Sequence, residues 1–200
     1  MKFLISKSSI FKSLSHLQGI VDKKNTLPIL SNILLEASKN NLTLSSTDMD
    51  ISLIEEINCD VIEEGSTTIN SQIFYDVIRK LSDDSEVEVI SNDSKRLTIR
   101  SNKSKFSLAC LPKEDFPIIE KINKGNKISI NSKMFYSLID KTKFAISNEE
   151  TRYFLNGLYF NITDIDSKNL ITLVGTDGHR LATNSSLLES PFQEIPGVII

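Results

Sequence analysis

The chain has no tryptophan, two cysteines, five prolines and seven glycines among its 200 residues. Cys59 and Cys110 are too few for a disulfide framework and read as reduced thiols of a cytosolic protein. His16 and His179 are the only histidines, and no Cys or His pair has metal-ligand spacing, so neither a metal nor a cofactor is expected. Long apolar runs are missing as well. The opening Met1-Lys2-Phe3-Leu4-Ile5 gives way at Ser6 and Lys7, too soon for a signal peptide, and no stretch approaches the ~20 residues of a membrane span. A net charge of −3 offers no bulk attraction for nucleic acid or membrane. What remains is a globular composition, 40% hydrophobic and 24% charged. A soluble cytoplasmic protein of one large or two ordinary domains is the expectation, with no membrane partner.

What is present is a repeat. Residues 68–80 return as 129–141 with seven of thirteen positions identical, and a fainter copy occupies 4–14. Such self-similarity dictates architecture before any single motif does. Each copy opens on a short alternating strand (Phe3 and Ile5; Ile69; Ile128 and Ile130). It then passes a polar residue suited to capping a helix (Ser6; Asn70-Ser71; Asn131-Ser132). An amphipathic helix follows, with stripes Ile10, Phe11, Leu14, Leu17, Val21, then Ile73, Phe74, Val77, Ile78, Leu81, then Met134, Phe135, Leu138, Ile139. The second of these helices is predicted over 71–81. Strands are predicted at 29–37, 42–46 and 51–57, and again at 86–90, 97–101 and 106–108, with turn residues between them.

These units read β-α-β-β-β. Two of them make one α+β domain, two helices packed on antiparallel sheet. The prolines and charge from Leu111 to Lys127 mark a linker, so the first domain is drawn at 1–124 and a second at 125–200. At an offset of 125, Thr26 falls on Thr151, Leu30 on Leu155 and Leu35 on Phe160. After a four-residue insertion, Leu42-Thr43-Leu44-Ser45-Ser46-Thr47-Asp48 falls on Ile171-Thr172-Leu173-Val174-Gly175-Thr176-Asp177. The second domain is expected to be incomplete, with Val198-Ile199-Ile200 as the opening strand of a fourth unit.

The net charge conceals a segregation. Positions 7–24, 71–81 and 132–145 hold Lys7, Lys12, Lys23, Lys24, Arg79, Lys80, Lys133, Lys141 and Lys143 against Asp22, Asp76 and Asp140. That surplus of six leaves −9 on the rest of the chain, since the whole is −3. A solvated helix face is the bland explanation. The functional one is convergence on a polyanion whose phosphates are held without reading bases. No aromatics interleave these faces for stacking on single strands, so duplex backbone is the expected target.

Catalysis is poorly supported. Asp177, His179 and Arg180 resemble a small acid–base cluster, and Asp48 or Asp50 could be imagined beside it. Yet no nucleophile–base–orienter set, paired helical carboxylates or phosphate loop can be read. His16 reads as a polar-face residue of the first helix. A protein-interaction module without a DNA role is the second alternative.

Four motifs then carry a resemblance: Thr26-Leu27-Pro28-Ile29-Leu30-Ser31-Asn32, Leu111-Pro112 with Asp115-Phe116-Pro117, Arg152-Tyr153-Phe154-Leu155-Asn156-Gly157, and Thr176-Asp177-Gly178-His179-Arg180-Leu181. Together they resemble the bacterial beta sliding clamps, processivity subunits of DNA polymerase III, over the whole chain. The resemblance implies the DNA clamp fold and a non-catalytic role in DNA replication. Three similar domains per subunit would form a head-to-tail homodimeric ring around double-stranded DNA, helices lining the hole. The DNA-facing residues it implies are Lys12, Lys23, Lys24, Arg79, Lys80, Lys133, Lys141, Lys143 and Tyr153.

A groove matched by Leu155, Thr176, Gly178, His179, Arg180 and Leu181 would capture short peptides of the replicative polymerase, clamp loader and repair polymerases. Gly178 permits close backbone approach there, and Leu155 and Leu181 offer apolar walls. The dimer edge is matched by Lys103, Lys105, Phe106 and Leu108. With the third domain absent, the chain is expected to be a fragment that closes no ring, leaving Phe106 and Leu108 exposed. Two places depart from the family pattern: Lys24 stands where arginine is frequent, and Asn148-Glu149-Glu150 is unusually acidic.

Overall fold

Each repeat starts its helix on the cap that the sequence supplies. The computed structural model describes residues 1–21, 27–93, 95–119, 128–165, 168–188 and 197–200, with backbone alone at 92, 93 and 150. Helix α1 (Lys7–Leu17) begins with Ser6 Oγ accepting from Ser9 N. Helix α2 (Ser71–Arg79) begins with Asn70 Oδ1 accepting from Ile73 N at 3.0 Å. In α3 (Ser132–Asp140), Asn131 Oδ1 accepts from both Lys133 N and Met134 N. Each cap satisfies an otherwise orphaned N–H and contributes ~1 kcal/mol.

The chain divides into two units, Met1–Lys121 and Ile122–Ile200. The linker expected from Leu111 to Lys127 begins as ordered structure instead, since Leu111 pairs with Thr68 in the sheet and Phe116 is buried; the 124/125 boundary lies outside the described residues. In the first unit β1 (Lys2–Ser6) leads into α1, and β2 (Asn32–Ser38), β3 (Asn41–Thr47) and β4 (Ser52–Asn58) form a meander. Strands β5 (Asp60–Glu63) and β6 (Gly65–Asn70) precede α2, after which β7 (Glu86–Asp93), β8 (Arg96–Ser101) and β9 (Ser104–Leu111) form a second meander. The sheet order is β4-β3-β2-β6-β9-β8-β7-β1-β5, with every pairing antiparallel.

Each repeat hands its opening strand to the other. Phe3 of β1 lies opposite Val89 of β7, and Ile69 of β6 lies opposite Ile33 of β2. The strand expected from 29 begins instead as a 3-10 turn at Pro28–Ser31, and β5 is a strand that the three-strand reading lacks. It arises because the strand bends at Cys59: β4 pairs with β3 up to Asn58, and β5 pairs with β1 from Asp60. Strand β9 makes the same change of partner unbroken, from β8 at Ala109 to β6 at Cys110. At both bends the cysteine N–H donates to a hairpin carbonyl, Cys59 to Asn40 at 2.9 Å and Cys110 to Lys95 at 2.8 Å. The two cysteines thus hold equivalent places, buried and without a disulfide.

Phe3, Ile10, Leu14, Leu35, Leu44, Phe74, Ile78, Val89 and Ile99 belong to one core, where each large side chain contributes ~1.5–3 kcal/mol by burial. The helical stripes supply its Ile10, Leu14, Phe74 and Ile78, while Ile73 of the second stripe stays half exposed. Lys7 departs from the charge reading. It is only 8% exposed, and its Nζ donates to Leu81 O at 2.7 Å and to Asp83 Oδ1 at 2.6 Å. It therefore ties the start of α1 to the turn after α2 and adds nothing to an outer cationic face. Its ammonium also holds the Asp83 carboxyl below the usual carboxylate range.

The second unit contains α3, β10 (Tyr159–Ile165), β11 (Lys168–Thr176), β12 (Leu181–Leu187) and β13 (Val198–Ile199), with sheet order β12-β11-β10-β13. Its core includes Leu138, Leu158, Phe160, Ile162, Ile171 and Leu173. The register of the first unit recurs: Leu35 opposite Leu44 becomes Phe160 opposite Leu173, and Leu34 opposite Thr68 becomes Tyr159 opposite Ile199. Thus β13 enters as β6 does. The strand expected at Ile128 and Ile130 does not form. In the first unit β5 and β7 flank β1; among the described residues of the second unit no strand lies beside 128–131. Among the described residues no helix is long and apolar enough to cross a membrane.

Candidate nucleic-acid and peptide interfaces

Helices α1 and α2 are joined by Gln18 Nε2 donating to Ser71 Oγ at 2.8 Å and by Phe11 stacked on Tyr75, ring centroids 5.2 Å apart. The guanidinium of Arg79 lies 5.7 Å from the Tyr75 centroid. With the apolar stripes inside, Lys12, Arg79 and Lys80 are exposed, as are Lys133, Lys141 and Lys143 in the second unit. Part of this charge is already matched. Arg79 Nη2 lies 3.0 Å from Asp76, and Lys143 Nζ lies 2.7 Å from Asp140, whose hydrogen bond raises the lysine pKa. Such exposed pairs add little stability but reduce the pull on an outside anion. Lys12, Lys80, Lys133 and Lys141 have no ion-pair partner among the described residues. Lys23 and Lys24 lie outside the described residues.

The expectation of faces without aromatics is not met. Tyr136 of α3 is 67% exposed, on the same helical side as Lys133 and Asp140, and Tyr153 is 77% exposed. Tyr136 falls two residues past Met134, off the apolar stripe, so the helical spacing already carried the signal.

Strands β11 and β12 are joined by the turn bearing the Thr-Asp-Gly-His-Arg motif. Thr176 Oγ1 donates to Arg180 O at 2.7 Å and accepts from Gly178 N at 3.1 Å. Asp177 Oδ1 accepts from His179 N at 3.0 Å and Arg180 N at 2.9 Å, while Oδ2 accepts from Arg180 Nε at 2.9 Å. The backbone N–H groups of Arg180 and His179, helped by the Arg180 charge, hold the Asp177 carboxyl down to about 2. A carboxylate so satisfied is a poor base, which removes the acid–base reading of this cluster. Asp48 and Asp50 belong to the corresponding turn of the first unit, between β3 and β4.

Gly178 has φ +89°, a left-handed conformation that suits glycine. Arg152, missed in the reading of this groove, completes the arrangement. Its Nε and Nη2 meet the Glu149 carboxylate at 2.9 and 2.7 Å, and its Nη1 donates to Asp177 O at 3.3 Å. A Cβ on Gly178 would lie 3.2 Å from Arg152 Nη1. Arg180 also stacks 5.8 Å from the ring centroid of Phe144. Ser147, Glu149, Arg152, Asp177, His179 and Arg180 line an open cleft of about 280 Å³. Leu155 is half-buried, its carbonyl accepting from Ser147 N at 2.9 Å, and Leu181 is exposed at the start of β12. Thr176, Gly178, His179 and Arg180 are therefore brought into one turn; of the six expected groove residues His179 and Arg180 line the cleft, whereas Leu155, Thr176, Gly178 and Leu181 fall outside its lining. The three-residue spacing of Glu149 and Arg152 was the sequence signal for the missed pair.

In the first unit, Lys103 sits in the two-residue turn between β8 and β9, and Lys105 lies opposite Arg100. Phe106 and Leu108, opposite Ile99 and Leu97, are half-buried and packed against the core rather than exposed. Cross-strand pairing on the core-facing side of the sheet holds them there. Residues 104–109 pair with β8 alone among the described residues, so their other edge is open.

Comparison with known proteins places this geometry. The domain described as DNA polymerase III beta subunit, N-terminal domain, matches residues 1–120, and the central domain of the same subunit matches 129–200. The beta sliding clamp of Caulobacter vibrioides is 41% identical, covering 100% of this chain and 54% of that protein. The beta sliding clamp of Vibrio cholerae is 36% identical over 97% of this chain and 52% of its own length. A crystal structure of the Caulobacter crescentus beta sliding clamp superposes with TM-score 0.92 at 40% identity, over 100% of this chain and 54% of that one. A Bartonella birtlesii sliding clamp bound to griselimycin gives TM-score 0.92 at 39% identity, over 100% and 53%. The chain spans about half the length of the curated relatives it matches. Successive domains of one subunit account for both of its halves in order, and the chain belongs to the DNA polymerase III beta subunit family.

Proposed function

We propose that this chain is part of a sliding clamp, a non-catalytic processivity subunit that encircles double-stranded DNA and docks short peptides of the replicative polymerase, clamp loader and repair polymerases. Residues 1–124 are its first clamp domain and residues from 125 begin the second. The observation that carries the reading is the set of exposed cations on the outer faces of three capped helices whose apolar faces are spent in the core. Lys12, Arg79, Lys80, Lys133, Lys141 and Lys143, with Lys23, Lys24 and Tyr153, make sequence-blind contacts to phosphates. Pairing of Arg79 and Lys143 with their own carboxylates keeps those contacts weak. Weak contacts suit a ring that holds DNA by topology and must slide. The open edge at 104–109, with Lys103, Lys105, Phe106 and Leu108, is the surface for a homodimeric partner. The turn at 176–180, with Leu155 and Leu181, receives the peptides.

The test is charge reversal in the complete clamp. Lys12→Glu, Arg79→Glu and Lys141→Glu together should weaken clamp-dependent DNA retention by roughly tenfold or more and reduce its salt slope by about three. The internal pairing of Arg79 and Lys143 favours one second reading, a peptide-binding module with no DNA role. That reading requires retention to be unchanged by the triple variant while peptide-induced NMR shifts at Leu155 and His179 persist.

A further inference from the structure

We infer that Glu149 is a specificity-determining residue of the second-unit cleft, holding Arg152 neutralised so that ligands are selected by apolar and backbone contacts rather than by acidic groups. The inference rests on the peptide-docking reading of that cleft and goes beyond it to the chemistry of the ligand.

Two guanidinium groups, Arg152 and Arg180, line the cleft. Read as sequence, they promise a strongly cationic rim. In three dimensions each is cancelled by a carboxylate three residues earlier: Arg152 by Glu149 at 2.7 Å and Arg180 by Asp177 at 2.9 Å. The two pairs differ in what else holds them. Asp177 is fixed by the N–H groups of His179 and Arg180, so it belongs to the turn whatever Arg180 does. Glu149 has a side chain 59% exposed and stands on a loop residue, held by its N–H donating to Ser147 Oγ at 3.1 Å. Its carboxylate serves Arg152, and Arg152 is held in turn. With Nε and Nη2 on Glu149 and Nη1 on Asp177 O, all three guanidinium nitrogens are engaged. The guanidinium lies against the bare Cα of Gly178, where a side chain would press on it.

An incoming carboxylate therefore meets a guanidinium whose fork is already taken. Fork-to-fork recognition of a carboxylate needs two adjacent N–H groups; Glu149 occupies the Nε/Nη2 pair, and in the Nη1/Nη2 pair Nη1 already donates to Asp177 O. A ligand must displace Glu149, at a loss that cancels most of its own gain, or bind by other means. Rejection by a pre-matched charge is as much a source of specificity as attraction. Glu149 is a positioning residue in this scheme: it acts on ligand through Arg152.

The experiment uses the complete clamp carrying the native residue, Glu149→Gln or Glu149→Asp. It is titrated with two otherwise identical peptides bearing a Leu-Phe pair, one flanked by glutamates and one by glutamines. Binding is read as chemical-shift change at Leu155, Leu181 and His179. In the native protein the two peptides should bind within about twofold of each other. In Glu149→Gln the glutamate-flanked peptide should gain roughly fivefold, with a new salt dependence, while the glutamine-flanked peptide changes less than about twofold. Glu149→Asp, which keeps the carboxylate, should follow the native protein. Equal gains for both peptides, or no change for either in a folded Glu149→Gln protein, would overturn the assignment of Glu149. Absence of any shift at the three reporters with both peptides in all three proteins would instead overturn the docking reading beneath it.

Discussion

Thr47-Asp48-Met49-Asp50-Ile51 in the first unit and Thr176-Asp177-Gly178-His179-Arg180 in the second close the same hairpin with the same hydrogen bonds. The threonine hydroxyl donates to the carbonyl four residues on, at 2.8 Å from Thr47 and 2.7 Å from Thr176. It accepts from the N–H two residues on, at 3.0 and 3.1 Å. The aspartate Oδ1 accepts the next two N–H groups, Asp50 and Ile51 at 3.0 and 2.7 Å, His179 and Arg180 at 3.0 and 2.9 Å. Even the backbone angle agrees, φ +87° at Met49 and +89° at Gly178. Threonine and aspartate in the motif are therefore turn-builders in both units. What is particular to the second unit is the glycine, the histidine, the arginine and the Glu149–Arg152 pair packed above them. Met49, a residue 63% exposed, holds its left-handed conformation against ~1–2 kcal/mol of steric cost. The network is strong enough to impose the turn on a residue ill suited to it.

Removing the shared hydroxyl should separate the two sites most. Thr47 is buried and also accepts from Ser52 Oγ at 2.9 Å, so Thr47→Val should lose ~2–3 kcal/mol in denaturant titration. Thr176→Val, at a more open site, should lose about 1 kcal/mol; equal losses would break the claim that burial sets the difference.

Exchanging the central residues comes next. Gly178→Met meets both the positive φ and the Arg152 guanidinium, and should lose ~1–2 kcal/mol by thermal melting. Met49→Gly should leave stability within ~0.5 kcal/mol, because relief of strain offsets the added freedom of the unfolded chain. A large loss there would mean that the Met49 side chain has a structural role of its own.

The smallest effect is confined to the second turn. Asp177 binds its proton less readily folded than unfolded, about 2 against 3.8. Its stabilisation is therefore complete above 3.8 and disappears as pH falls toward 2. The amide signal of Arg180 should hold steady around pH 4 and shift below 3; movement near pH 4 would show that the N–H groups do not hold the carboxylate.

Local signals in the sequence carried far. Ser6, Asn70 and Asn131 cap as their side chains allow, and the stripes ending at Val21, Leu81 and Ile139 find the core, because caps and helical periodicity depend on near neighbours. The offsets linking Leu35 to Phe160 and Leu44 to Leu173 reappear as register, since alternation fixes which side chain faces inward. Two of the misses depend on partners distant in sequence. Lys7 is buried because Leu81 O and Asp83 wait for it, and β5 exists because Cys59 bends the chain toward β1. The strand expected at Ile128 and Ile130 has no neighbouring strand among the described residues. At the cleft, Asp177 looked like an acid–base residue because a motif does not reveal that its oxygens are already occupied. Arg152 was overlooked because a cation three residues past a carboxylate is common on any surface.

The exchange of opening strands between repeats has a mechanical consequence. With β1 locked beside β7 and β6 beside β2, neither half of the first unit can be peeled off without tearing hydrogen bonds from the other. The sequence repeat ends near Glu64, yet nothing comes apart there. A nick at that point would leave two pieces still laced together, and the unit should melt as one cooperative body rather than repeat by repeat.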